Sequence, residues 1–163
     1  MSVGLNLEVE PQQGDLLCWA AVAASIARFY NPQSPWTQCG IANQILHSTA
    51  CCHSMPSCNQ ESFLESALQA TAHLATPPVF RLTFQQVRDE LDRQRPIGIR
   101  IAFSISVGHF VAVCGYNDAI VGEETVTLSD PTGLNHDVLY ADLLQPGGYP
   151  GGGMWTHSYF TQP

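Results

Sequence analysis

Apolar and polar positions change their period once along this chain. From Cys18 to Tyr30 the run CWAAVAASIARFY is rich in alanine and sets Trp19, Val22, Ile26 and Phe29 at helical spacing; Asn31-Pro32 ends it. Thr37 stands as the cap of a short helix reaching about His47. After a cysteine-rich loop, Asn59 is placed to cap NQESFLESALQAT, with Glu61 near its positive end and Phe63, Leu64, Ala67 and Leu68 as its buried stripe. Pro77-Pro78 marks a linker. Thr83 and Gln86 form a capping box for TFQQVRDELDRQR, whose Phe84, Val87 and Leu91 face inward before Pro96 closes it. Beyond Pro96 the period falls to two: Ile97, Ile99 and Ile101 alternate with small or polar residues, and HFVAVCGY and TVTLS follow as strands. Residues 136–144 and 154–161 supply two more short strand segments. Residues 1–11 read as a polar, extended lead-in, and Gly147 to Gly153 as a flexible loop that lacks the lysine of a phosphate cradle. Helices first and strands afterwards predict an α+β fold: a helical lobe of about residues 12–80 on an antiparallel sheet lobe of about 81–163 with one leading helix, within a single domain, 1–163.

Composition fits one folded unit. The chain has 163 residues, 45% hydrophobic and only 12% charged, so it can bury a core. Six basic residues against fourteen acidic ones leave a formal charge of -8, which repels a polyanion and argues against nucleic acid as a partner. No apolar run is long enough to span a membrane. Met1 to Leu17 has neither a basic nor an apolar signal region, so it does not read as a signal peptide.

Six cysteines divide by position. Cys39, Cys51, Cys52 and Cys58 crowd together and read first as two disulfides, with Cys51 and Cys52 each bonding to Cys39 or Cys58; spacing does not rank the two pairings. Disulfides imply an oxidising compartment. The competing reading is a zinc site drawn from Cys51, Cys52, Cys58, His47 and His53, although the paired Cys-x-x-Cys spacing is missing. Cys114 lies within HFVAVCGY and is expected as a reduced core thiol.

The candidate chemistry begins with Cys18 at the start of the first helix. A thiol there feels the positive end of the helix dipole, which favours the reactive thiolate; a lone cysteine is otherwise most often a small buried hydrophobe, and Gly14 and Asp15 just before it argue for exposure. His109 opens a strand behind Gly108, and the glycine lets another group approach closely. Such a histidine can pair with a thiolate or carry a proton. Asp130 follows the next strand and can accept a hydrogen bond from the imidazole, although Asp before Pro131 is equally a turn residue. Asn117 is the rival orienting residue, but it stands at the far end of the strand that His109 opens, about 20 Å or more away. Gln12 shortly before Cys18 can donate to an oxyanion together with a backbone N–H, with Gln13 as its competitor.

The order Gln, Cys-Trp, Gly-His and then an acid after the next strand resembles papain-like cysteine proteases. PQQGDLLCWAA, the TQC…CC…CN cluster, PIGIRI, GHFVAVCGY, SDP and MWTHSYF together resemble the compact bacterial members, a group that includes secreted effector proteases. The likeness spans about Pro11 to Phe160. It implies Gln12 as the oxyanion-hole glutamine, Cys18 as nucleophile, His109 as base, Asp130 as orienting acid, Trp19 packed behind the nucleophile, and a cleft between the two lobes. The chain departs from the plant and lysosomal signature in having Leu16-Leu17 before Cys18 and Asp rather than Asn as the orienting residue.

The expected activity is therefore cysteine endopeptidase action on a peptide or protein substrate without metal or cofactor, by a monomer secreted or delivered to an extracytoplasmic or host compartment and matched by a cognate inhibitor or immunity protein. An acyltransferase or deamidase on the same three residues and a non-enzymatic cysteine-rich binding module are the alternatives. His47, His53, His73 and His136 are expected to be solvated on helix ends or loops, and His157 to be structural. Trp36 and Trp155 read as core or interface anchors.

Overall fold

The structure, a computed structural model, describes residues 1–163. It is α+β, with helices followed by an antiparallel sheet. Helix α1 (Cys18–Tyr30) is buried at every position from Cys18 to Ala27. Its alanines leave little side-chain bulk, so α2 (Gln38–Leu46), α3 (Leu64–Ala70) and the sheet all close on it; a helix apolar on every side is a buried one. Two starts follow the capping chemistry of the sequence. Thr37 Oγ1 accepts from Gly40 N at 3.1 Å, and at α4 (Phe84–Asp92) Thr83 and Gln86 form the reciprocal box.

The strands are β1 (Ser2–Gly4), β2 (Ile97–Ala102), β3 (Gly108–Asn117), β4 (Thr125–Ser129), β5 (Asn135–Leu139) and β6 (Met154–Phe160). They form one antiparallel sheet in the order β5-β4-β3-β2-β6. β2 pairs with β3 as far as Val113, and β1 pairs with Gly115 to Asn117 beyond it. Ile97, Ile99 and Ile101 are fully buried, as their alternation requires. A single continuous core cluster of 38 buried residues joins the helices, the sheet and parts of the loops.

Four expectations are corrected. Asn59 does not cap α3, which starts at Leu64 with Phe63 as its cap residue; Asn59 is drawn instead to the turn before α1. Phe63 is 71% exposed, while Leu64, Ala67 and Leu68 are buried as expected. The lead-in is not merely polar: Leu5, Leu7 and Val9 are buried and alternate with Asn6 and Glu8, a period-two signal only five residues long. The segment 136–144 is a strand only to Leu139, after which Tyr140–Leu143 forms the short helix α5.

Candidate active site

The turn leading into α1 is held from outside. Leu17 N donates to Gly14 O at 3.1 Å, and Leu16 N donates to the Asn59 side-chain oxygen at 2.9 Å. The Asn59 amide in turn donates to the Asp15 carboxylate. Gly14 is needed here: a Cβ would lie 2.5 Å from Asn59 Oδ1. The Trp19 indole N–H is shared between Leu16 O at 2.9 Å and Gln60 O at 3.0 Å, and the ring is fully buried beneath the turn. Residues 59 and 60 thus clamp the chain on both sides of Cys18. Cys18 itself is only 7% exposed, against the expectation of an open thiol, because the turn and the cavity wall close over the helix end.

The clamp begins one residue after a disulfide. Cys51 is bonded to Cys58 and Cys39 to Cys52, which selects one of the two pairings that the spacing left open. With all four sulfurs in disulfides, none is a thiolate ligand for zinc, and no group of three or more His, Cys, Asp or Glu side chains is placed to hold a metal ion.

His109 is the second residue of β3, paired with Ile101 of β2 just beside the loop that joins the two strands. Its Nε2 lies 2.9 Å from Asp130 Oδ1. Asp130 directly follows β4 and is almost wholly buried. The same Oδ1 accepts from the backbone N–H and the hydroxyl of Thr132, each at 2.8 Å, and Oδ2 accepts from the Tyr149 hydroxyl. Burial works against the Asp130 charge, but the His109 and Thr132 hydrogen bonds and the imidazolium charge outweigh it and hold the carboxyl below its usual range. Burial likewise opposes the His109 charge. Hydrogen bonding to Asp130, the neighbouring Cys18 sulfur and the Asp130 charge outweigh it and raise the imidazole to about 9. Asp130 is the hydrogen-bonded partner of the ring, and Cys18 lines the same cavity.

Cys18 and His109 line one cavity of about 430 Å³, with Trp19, Gly108 and Arg100 among the other wall residues. Gly108 admits a close neighbour as expected, and that neighbour is Arg100: a Cβ on Gly108 would meet the guanidinium at 2.7 Å. Gln12 is half-buried and lies outside the cavity wall; its backbone N–H donates to Pro131 O at 2.8 Å. Its side-chain amide makes one long contact to Asp15 O at 3.3 Å, and Oε1 is buried without a partner. Gln13 is exposed and faces Gln38 through its backbone. Asn117 ends β3 and accepts from Ala119 N, away from His109.

One contributor escaped the sequence reading. Tyr149 sits in the glycine-rich loop taken for a flexible connector, yet it is 3% exposed. The loop is bonded onto itself, Tyr149 N to Gly153 O at 2.9 Å and Gly152 N to Tyr149 O at 2.8 Å, with Gly147, Gly151 and Gly152 at positive φ. The signal was present in PGGYPGGG: one large aromatic among glycines is the only side chain such a loop can bury.

The remaining groups are structural. Cys114 is a buried thiol that burial, then the Asp137 charge, push up to about 11. His47 and His53 are exposed, but His73 bonds to Gln162 O and stacks on Tyr30, and His136 lies in β5 against Tyr149, so neither is simply solvated. His157 meets Thr156 and Phe80. Trp155 is fully buried, and Trp36 packs on the core edge.

No curated protein matches the chain. The family model described as papain-like cysteine protease AvrRpt2 matches residues 1–138, a span that takes in the helix of Cys18, the strand of His109 and Asp130. The chain belongs to this family of papain-like cysteine proteases.

Proposed function

We propose that this chain is a cysteine endopeptidase acting through Cys18, His109 and Asp130, with the reactive groups in a cleft between a helical and a sheet lobe. The observation that carries the reading is His109 bonded at 2.9 Å to a buried carboxylate while sharing a cavity with the thiol that heads α1. With its Nε2 on Asp130, the ring has Nδ1 left for Cys18. An imidazole raised to about 9 is charged at neutral pH, the state a resting thiolate–imidazolium pair requires.

In this mechanism the Cys18 sulfur attacks a peptide carbonyl. The backbone N–H of Cys18 belongs to the first turn of α1, where no carbonyl within the helix can pair with it, and it faces the oxyanion. Gln12 is the second donor, exchanging its long contact to Asp15 O for the oxyanion. His109 protonates the leaving amine and then, as base, draws a proton from water to clear the thioester. Asp130 keeps the ring in one tautomer and balances its charge; Thr132 and Tyr149 hold Asp130.

The family, with its effector proteases, and two disulfides support action outside a reducing cytosol on peptide or protein substrates. The test is digestion of an unbiased peptide library by wild type beside Cys18→Ala. New termini with wild type alone, from a variant that melts like wild type, are expected. Cleavage by Cys18→Ala overturns the assignment; mass changes on glutamine side chains without new termini transfer it to acyl transfer or deamidation.

A further inference from the structure

The chain has six basic side chains, all arginine, against fourteen acidic ones. Arg28, Arg88, Arg93 and Arg95 each make an ion pair, and Arg81 donates to Leu144 O at 2.7 Å. Arg100 alone has neither a carboxylate nor a carbonyl partner. Its one hydrogen bond runs to the Thr156 hydroxyl at 3.3 Å, which leaves most of its five N–H donors unused. It is half-buried, and it lines the cavity that contains Cys18 and His109 as well as the shallower one beside it.

Its position is built into the sheet. In β2 the isoleucines at 97, 99 and 101 are buried in the core, so Gly98, Arg100 and Ala102 share the other face. Arg100 pairs across to Phe110 on β3, and Gly108 lies two residues along that strand on the same face. With no Cβ at 108, the guanidinium rests directly on the backbone next to His109. Asp15 and Glu61 also line the cavity, but neither lies within ion-pair distance of Arg100, and Asp15 is engaged by Asn59. A half-desolvated guanidinium with free donors is completed by a planar carboxylate, which it can grip through two parallel N–H···O bonds.

We infer that Arg100 is a specificity-determining residue that binds the side-chain carboxylate of an Asp or Glu in the substrate, next to the bond that Cys18 attacks. The net charge of -8 disfavours acidic peptides at long range, so the selection is local: one acidic residue at one subsite, not a polyacidic substrate. This inference rests on the endopeptidase reading for its position relative to the scissile bond, and the test separates the two.

N-acetylated, C-amidated positional libraries locate the subsite, and Glu, Gln and Lys peptides otherwise identical are then compared. Wild type is expected to favour Glu over Gln by about tenfold in kcat/KM, a ratio that falls to about one in Arg100→Met and turns toward Lys in Arg100→Glu. The same libraries titrated against Cys18→Ala read recognition without chemistry: Glu peptides bind about tenfold tighter than Gln peptides, and Cys18→Ala with Arg100→Met loses the difference. A wild type that treats Glu and Gln alike in both assays overturns the inference even if the Arg100 variants do not fold, as does a Glu preference that survives Arg100→Met. Selective binding without any cleavage sinks the protease reading and leaves Arg100 standing; cleavage without acid preference does the reverse.

Discussion

The loop from His47 to Gln60 and the loop from Gln145 to Gly153 each reach one end of the candidate site, and they do so by different physics. The first is tied by Cys39–Cys52 and Cys51–Cys58, and it delivers Asn59 and Gln60 onto the turn before Cys18. The second has no covalent tie. It takes its shape from glycines, and it delivers the Tyr149 hydroxyl to Asp130. At Gly148 a Cβ would stand 1.7 Å from Asp142 O, so this loop is fixed by what it lacks. One end of the site therefore depends on an oxidising environment and the other does not. A polar clamp on a helix entrance and a phenol on a carboxylate are both ways of keeping a reacting group in one orientation.

The sharpest way to break the comparison is to remove what the glycine loop supports. Asp130→Asn takes away the charge that balances the imidazolium, and kcat/KM should fall by about 10²- to 10⁴-fold. The alkaline limb of the rate profile, expected near 9 in wild type, should move down, since burial by itself lowers His109. The sign follows from the direction of the shift. A histidine raised above its ordinary value on folding contributes stability that is whole below its unfolded value and is lost as pH rises through about 9. Asp130→Asn should flatten that loss in pH-dependent melting, and an unchanged alkaline limb would count against Asp130 as the orienting acid.

Next in size is the covalent end. Replacing Cys51 and Cys58 by serine should lower stability by about 2–4 kcal/mol, read by denaturant unfolding. Activity should fall with kcat more affected than KM, because Asn59 and Gln60 position the turn of the proposed nucleophile and not the substrate. The same loss should follow mild reduction of wild type, while Tyr149 stays in place. A double-serine variant with full kcat would show that the clamp holds without its disulfide.

The smallest effect is expected at Tyr149→Phe. Losing one hydrogen bond to a carboxylate should reduce kcat/KM by about tenfold and shift the pH profile, with little change in melting temperature. A stability loss with an unmoved pH profile would make Tyr149 a packing residue only.

Much of the fold was legible because it rests on local signals. The alanine-rich helix, the Thr37 and Thr83 caps and the alternating isoleucines act over a few residues, and each appears where the pattern predicts. The misreadings share a cause. Asn59 looked like a cap because its neighbours are helical, but its side-chain oxygen accepts from Leu16 N in a different turn, 43 positions away in sequence. Tyr149 looked like loop filler because nothing local indicates that a carboxylate lies beside it. The Leu5, Leu7 and Val9 alternation was present but short, and it is buried only because the segment runs against the sheet, with Leu5 N on Cys114 O and Val9 N on the Ser129 hydroxyl.

By itself the sequence determined the residue types that could carry thiol chemistry, their order along the chain, and the α+β succession that separates them. Which atoms meet was decided only by tertiary structure. The pairing of Cys51 with Cys58, the burial of Cys18, the phenol on Asp130 and the guanidinium laid over Gly108 each need one segment of the chain folded against another. Periodicity and capping report on a residue's own turn or strand. Contacts between segments depend on how the elements and loops pack, which the local pattern does not contain.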